Sequence, residues 1–152
     1  ITGGYSDLRY EYIIKGTNSL NKAYYTGKYS SSSDSYRETV ENPMVPIIRL
    51  SEVCYMLAEI ALENNDISGA IQYLTEVRNA RGAYRTITAA TTEKVLDEII
   101  LDMRKDLMAE GQLFFMYKRL NMEKVVNSSN TSLYRNMRDG YVIPIPTSES
   151  PF

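Results

Sequence analysis

The chain has 152 residues, enough for one domain with a sizeable core, and a formal net charge of −2. That balance, without any Lys/Arg block, argues against a nucleic-acid surface. The lack of histidine removes the commonest general base and metal ligand, and the single cysteine, Cys54, excludes an internal disulfide or a multi-cysteine metal site.

Residues 1–46 are polar and rich in Tyr, Ser, Asn and Gly. The start, Ile1-Thr2-Gly3-Gly4, reads as the interior of a longer protein, so the missing targeting segment says little about location. Tyr10, Tyr12 and Ile14 alternate with Glu11, Ile13 and Lys15, which predicts a short extended segment, and Gly16-Thr17-Asn18-Ser19 predicts a turn after it. The run Tyr29-Ser30-Ser31-Ser32-Ser33-Asp34-Ser35 reads as a surface loop. Tyr24, Tyr25, Tyr29 and Tyr36 surround it. Aromatic rings among small polar residues suit carbohydrate, because a sugar's apolar face stacks on a ring while its hydroxyls need partners. These four tyrosines are the candidate ligand-binding residues; the alternative is that they only cover the helices they precede.

Residues Ile47 to Gly82 predict two antiparallel helices. In the first, Ile47, Leu50, Cys54, Leu57, Ala58, Ala61 and Leu62 recur at three- and four-residue spacing and predict the buried face. Cys54 on this face reads as a small buried hydrophobe. Ala70, Ile71, Leu74, Val77 and Ala80 do the same in the second. Asn64-Asn65-Asp66 breaks the pattern between them with side chains that satisfy open helix ends. Ala58 and Ala70 supply small residues where the pair must approach closely, as in tetratricopeptide-like repeats.

Gly82 predicts the residue just past the second helix, and residues 83–91 a connection. Thr92 predicts an N-cap for a third helix over about 93–110. Its stripe is Leu96, Ile99, Ile100, Met103 and Leu107, with Asp97, Glu98, Asp102, Arg104, Lys105 and Asp106 on the solvated side. Gly111 interrupts it, and a fourth helix runs from Gln112 to about Val126, carrying Phe114, Phe115, Tyr117, Leu120 and Val125. Asn127-Ser128-Ser129-Asn130 predicts a loop. Pro144 and Pro146 turn the end, Tyr141-Val142-Ile143-Pro144-Ile145-Pro146, into an extended tail. The fold expected is mainly all-α, with tetratricopeptide-like helical hairpins, long irregular loops and that tail. It divides into a Tyr/Ser-rich region (1–46), a helical scaffold (47–126) and a loop with tail (127–152).

Catalytic chemistry has little support. Glu59 and Glu63, and Glu98 and Asp102, are carboxylates four apart on helices, a spacing that solvated helix faces produce constantly. No phosphate loop follows a strand, and no nucleophile has a base at hand. Arg78, Arg81 and Arg85 either bind an anion or pair with acids on neighbouring helices.

Four ordered segments resemble the SusD/RagB outer-membrane lipoproteins. Ile48-Arg49-Leu50-Ser51-Glu52-Val53 through Ala58-Glu59 resembles one family helix, and Ala70-Ile71 through Val77-Arg78-Asn79-Ala80-Arg81-Gly82 the next. Arg104-Lys105-Asp106-Leu107-Met108-Ala109-Glu110-Gly111 with Phe114-Phe115 and Lys118-Arg119 is similar to a third segment, and Ile143-Pro144-Ile145-Pro146 with Glu149 to a fourth. Met116 and Leu113 depart from the family's usual Asp and Arg. The likeness spans about residues 45–150 and implies the C-terminal part of such a protein. It implies a non-enzymatic role: capture of a glycan or other nutrient at the cell surface, no required cofactor, and a TonB-dependent, SusC-like outer-membrane transporter as partner. Attachment to the outer membrane would be through a lipidated part outside this stretch. A helical-repeat adaptor without a ligand and a helical glycoside hydrolase using Glu59, Glu98 or Glu110 are the alternatives.

Overall fold

A computed structural model gives the fold, and it describes residues 7–9, 14–17, 23–26, 47–126, 134–137 and 140–142. Among these the architecture is mainly helical: α1 (Leu50–Glu63), α2 (Ile67–Ala80), α3 (Thr92–Asp106) and α4 (Gln112–Arg119). Two short antiparallel hairpins accompany them, β1 (Ile14–Thr17) with β2 (Ala23–Thr26), and β3 (Lys124–Val126) with β4 (Tyr134–Asn136). The chain divides into two compact units, 1–109 and 110–152.

In the first unit, Asn64-Asn65-Asp66 folds α2 back on α1. Asn65 takes φ 59°, the left-handed conformation that Asn tolerates best after Gly. The Asp66 N–H donates to the Ala61 carbonyl (2.8 Å) and the Asn65 N–H to Leu62 (2.9 Å), which closes the α1 end. Asp66 then caps α2, accepting from the Gly69 N–H at 2.8 Å. Gly82 ends α2 in the same way at φ 68°, with Ala83 donating to the Arg78 carbonyl and Gly82 to Asn79. Ala58 and Ala70, the small residues expected where the pair approaches closely, are both fully buried.

The α1 face is rotated from the expected one. Ser51, Tyr55, Ala58, Ala61 and Leu62 are buried, whereas Ile47 is 89% exposed and Leu50 79% exposed, with Leu57 also at the surface. Cys54 is half-buried rather than core. The reason is polar: the Tyr55 hydroxyl donates to Asp106 Oδ2 (3.0 Å) and Arg81 Nη2 reaches Ser51 Oγ (3.4 Å). The helix therefore turns the side bearing Ser51 and Tyr55 inward. In α2, Ala70, Leu74 and Val77 are buried as expected, while Ile71 is half-buried and Ala80 exposed.

Helix α3 is shorter than the sequence predicts and starts one residue early. Thr91, not Thr92, is the N-cap, its side chain accepting from the Lys94 N–H. Ile99, Ile100, Met103 and Leu107 are buried, joined by Val95 in place of the half-buried Leu96. Asp102 and Asp106, expected on the solvated side, are buried.

In the second unit α4 stops at Arg119, well short of Val126. Asn121 enters the left-handed region at φ 48°, and Met122 and Asn121 close the end on the Tyr117 and Lys118 carbonyls. The chain then becomes β3, so Val125 is buried from a strand. Met116 is the buried residue of α4, and Phe115 is 69% exposed. Phe114 packs against Tyr141 at 5.9 Å between ring centres, and the Tyr141 hydroxyl donates to the Met122 carbonyl at 2.6 Å. The loop expected at 127–130 and the tail from residue 143 lie outside the described residues.

Candidate functional site

The sequence sets its four ligand candidates around the Ser-rich run at 29–35. Tyr24 and Tyr25 fall on β2, opposite Gly16 and Lys15 in the register with β1. The strand takes in Gly16 and Thr17, where the sequence predicts the start of a turn, and Asn18 and Ser19 lie outside the described residues. Tyr29 and Tyr36 lie outside the described residues. Of the extended segment expected at 10–15, Ile14 and Lys15 lie in β1, and residues 10–13 lie outside the described residues.

The other concentration of chemistry is a buried ion cluster that joins residues 7–9, the end of α2 and the last two turns of α3. Arg78 and Arg81, three apart, share a side of α2; Asp102 and Asp106, four apart, share a side of α3. Arg78 Nε donates to Asp102 Oδ2 at 2.6 Å, and its Nη2 to Glu98. Arg81 spans Asp106, with both contacts at 3.3 Å. Arg9, 4% exposed, completes the arrangement: Nη2 lies 2.7 Å from Asp102 Oδ1 and Nη1 lies 3.1 Å from Asp106 Oδ1. Its Nε and Nη2 also grip Asp7, and Lys105 lies 3.5 Å from both Asp7 and Asp102. Cations Arg9, Arg78, Arg81 and Lys105 thus face carboxylates Asp7, Glu98, Asp102 and Asp106. The charge is balanced, which a buried cluster requires because an unpaired buried ion is costly.

Electrostatics follow from this pairing. Burial pushes the Asp106 carboxyl up, but Arg81 and Arg9 together hold it below the ordinary value of 3.8. At Asp7 burial is again opposed and outweighed, by Arg9 and then Lys105. The Tyr55 phenol is driven far up by burial and by the charge of Asp106, so it stays a donor. Every acid in the cluster has a cationic partner: Arg78 bridges Glu98 and Asp102, and Asp102 also meets Arg9 and Lys105. Burial, and then the charge of Glu76, push the Cys54 thiol up. Among the described residues no three His, Cys, Asp or Glu side chains converge as a metal site. No helix of the described residues is long and apolar enough to cross a membrane.

The pairing of Arg78 and Arg81 with acids on a neighbouring helix is one of the two readings their spacing allowed; Arg85 lies exposed outside the cluster. Arg9 was missed. It lies 93 and 97 positions from its helical partners, and nothing local marks it.

A family model described as the SusD family matches residues 5–139. The chain belongs to the SusD family. The match starts far upstream of the motifs that carry the sequence resemblance, and it takes in both Arg9 and the Tyr hairpin. No curated protein and no solved structure matches. SusD-family proteins are non-catalytic binders of glycans and other nutrients at the cell surface and are generally outer-membrane lipoproteins. A buried cluster with every carboxylate paired fits a scaffold of that kind.

Proposed function

We propose that this chain captures a glycan or another nutrient at the outer face of the outer membrane and hands it to a TonB-dependent, SusC-like transporter. The family match over residues 5–139 is the observation that supports this reading. In it, residues 47–126 serve as scaffold, 1–46 carry the ligand-contacting loops and 127–152 form a loop and tail. Tyr24, Tyr25, Tyr29 and Tyr36 stack on the sugar, and a lipid anchor outside these 152 residues holds the protein to the membrane. No step of chemistry is assigned.

Isothermal titration of the chain against maltohexaose, xylohexaose and mannohexaose tests the reading. One of the three binds, and the triple change Tyr24→Ala, Tyr25→Ala, Tyr29→Ala weakens it by about tenfold or more, the scale expected when stacked rings are lost. A folded chain that binds none of them, or a triple variant with unchanged Kd, removes the Tyr assignment. Capture of a TonB-dependent transporter from detergent-extracted outer membranes tests the partner. One observation favours the adaptor alternative: α1 exposes Leu50, Met56 and Ile60 together with Ile47 and Ile48. Recovery of soluble proteins alone would support it.

A further inference from the structure

We propose that Arg9 is a positioning residue, whose insertion between α2 and α3 latches the segment leading into the β1–β2 hairpin and fixes where Tyr24 and Tyr25 are presented. The inference rests on the proposed role of those tyrosines as ligand contacts, but the latch itself does not.

Three consecutive residues hold the helices by different means. The Leu8 N–H donates to the Arg81 carbonyl at 2.9 Å, satisfying an acceptor left open at the α2 end. Asp7 meets Lys105 on α3. Arg9 reaches Asp102 and Asp106, and its Nη1 also lies 3.4 Å from the Asp102 carbonyl. A guanidinium presents its donors in a fixed planar fork, so contacts to two carboxylates one turn apart define orientation as well as distance. A buried ion pair is weak evidence for stability, because apolar residues of similar volume often do as well. What an apolar plug would not supply is one register of the segment on the helices.

Tether lengths turn that anchoring into positioning. Only residues 10–13 separate Arg9 from β1. At about 3.3–3.6 Å per residue, Ile14 then lies within roughly 17 Å of the latch. On the other side, residues 27–46 separate β2 from the helical scaffold, a reach of roughly 70 Å. The short side therefore determines where the hairpin can be. Among the described residues no helix packs extensively on β1 or β2. An isolated two-stranded hairpin is marginal in water, so its order depends on its attachment.

Hydrogen–deuterium exchange on the full 152-residue chain tests this without any ligand. The double variant Arg9→Met, Asp106→Asn removes the latch while keeping the cluster's charge balanced, and the amide that replaces the carboxylate still offers Tyr55 an acceptor. Exchange of the amides in 14–17 and 23–26 is expected to speed up about tenfold or more, with protection in α1 and α2 unchanged. Arg9→Lys, which keeps charge but not the fork, should fall between. Hairpin exchange that matches the parent overturns the latch. So does an equal loss of protection through α1, α2 and α3, which would make Arg9 a general stabiliser. A second variant lengthens the tether with six Gly/Ser residues after Glu11 and leaves the cluster untouched. Using whichever of the three hexasaccharides binds the parent, it should weaken Kd severalfold with unchanged thermal stability; an unchanged Kd overturns the positioning role. If none of the sugars binds, the Tyr reading fails and the exchange experiment alone decides the latch.

Discussion

Helices α1 and α3 sort their side chains in opposite senses. Helix α1 leaves Leu50, Met56 and Ile60 more than half exposed and hides Ser51 and Tyr55. Helix α3 buries two aspartates among Val95, Ile99 and Met103. The two facts have one cause, because the residues that α1 turns inward are those that serve the aspartates of α3: Tyr55 donates to Asp106, and Ser51 lies near Arg81, which spans it. Apolar periodicity states that a helix exists. Which side goes in is decided here by polar partners that must be satisfied once buried.

The sharpest way to break this arrangement is Asp102→Ala. Asp102 is fully buried and accepts from Arg9 and Arg78, so its loss takes a partner from two buried cations and leaves Arg78 with Glu98 and Arg9 with Asp7 and Asp106. The expected cost is about 3–5 kcal/mol in urea denaturation, the range for removing one partner of a buried ion pair. A cost under about 1 kcal/mol would mean that solvent already reaches the cluster.

A pair of changes in α1 sharpens the contrast of its faces. Ala58→Leu inserts bulk at the crossing with α2 and should cost about 1–3 kcal/mol. Leu50→Gln, at a position 79% exposed, should stay within about 0.5 kcal/mol of the parent. Reversed magnitudes would show that the sequence pattern, not the polar partners, chose the buried side.

Acid gives a smaller and graded effect. Asp7 and Asp106 are held below 3.8 in the folded chain, so each contributes stability that is complete above that ordinary carboxylate range. The contribution is lost as pH falls through the lower, folded values. The urea midpoint should therefore decline below about pH 4, and less steeply in Arg9→Met, Asp106→Asn, which lacks one of the two carboxylates and the cation that holds the other.

Much of the scaffold was legible in the sequence. Asn64-Asn65-Asp66 and Gly82 marked helix ends through local backbone chemistry, and Ala58 with Ala70 marked the crossing. The errors have physical reasons. Periodicity ran α4 on to Val126 because Val125 is indeed buried, yet it is buried from a strand that begins after Asn121 reverses the chain. Asp102 and Asp106 looked solvated because a carboxylate is buried only when cations meet it, and one of those cations is Arg9. The spacing of Arg78 with Arg81 and of Asp102 with Asp106 was the available signal; matching the two sides would have found half of the cluster. Four ordered motifs carried the family. The ligand residues rested on composition alone, since Tyr29 and Tyr36 sit in a stretch without periodicity.

The helix ends have a further consequence. At Asn65, Gly82 and Asn121 a left-handed residue folds the chain over the last carbonyls, so α1, α2 and α4 are closed by backbone N–H groups no further along than Asp66, Ala83 and Met122. The chain beyond such an end is not needed to hold it. Lengthening a connection then costs only the slowly growing entropy of a longer loop, about 0.6 kcal/mol per doubling. The stretch 84–90, between the Ala83 N–H that closes α2 and the Thr91 cap of α3, is thereby open to rewriting, and one framework can change what it carries without rebuilding its helices.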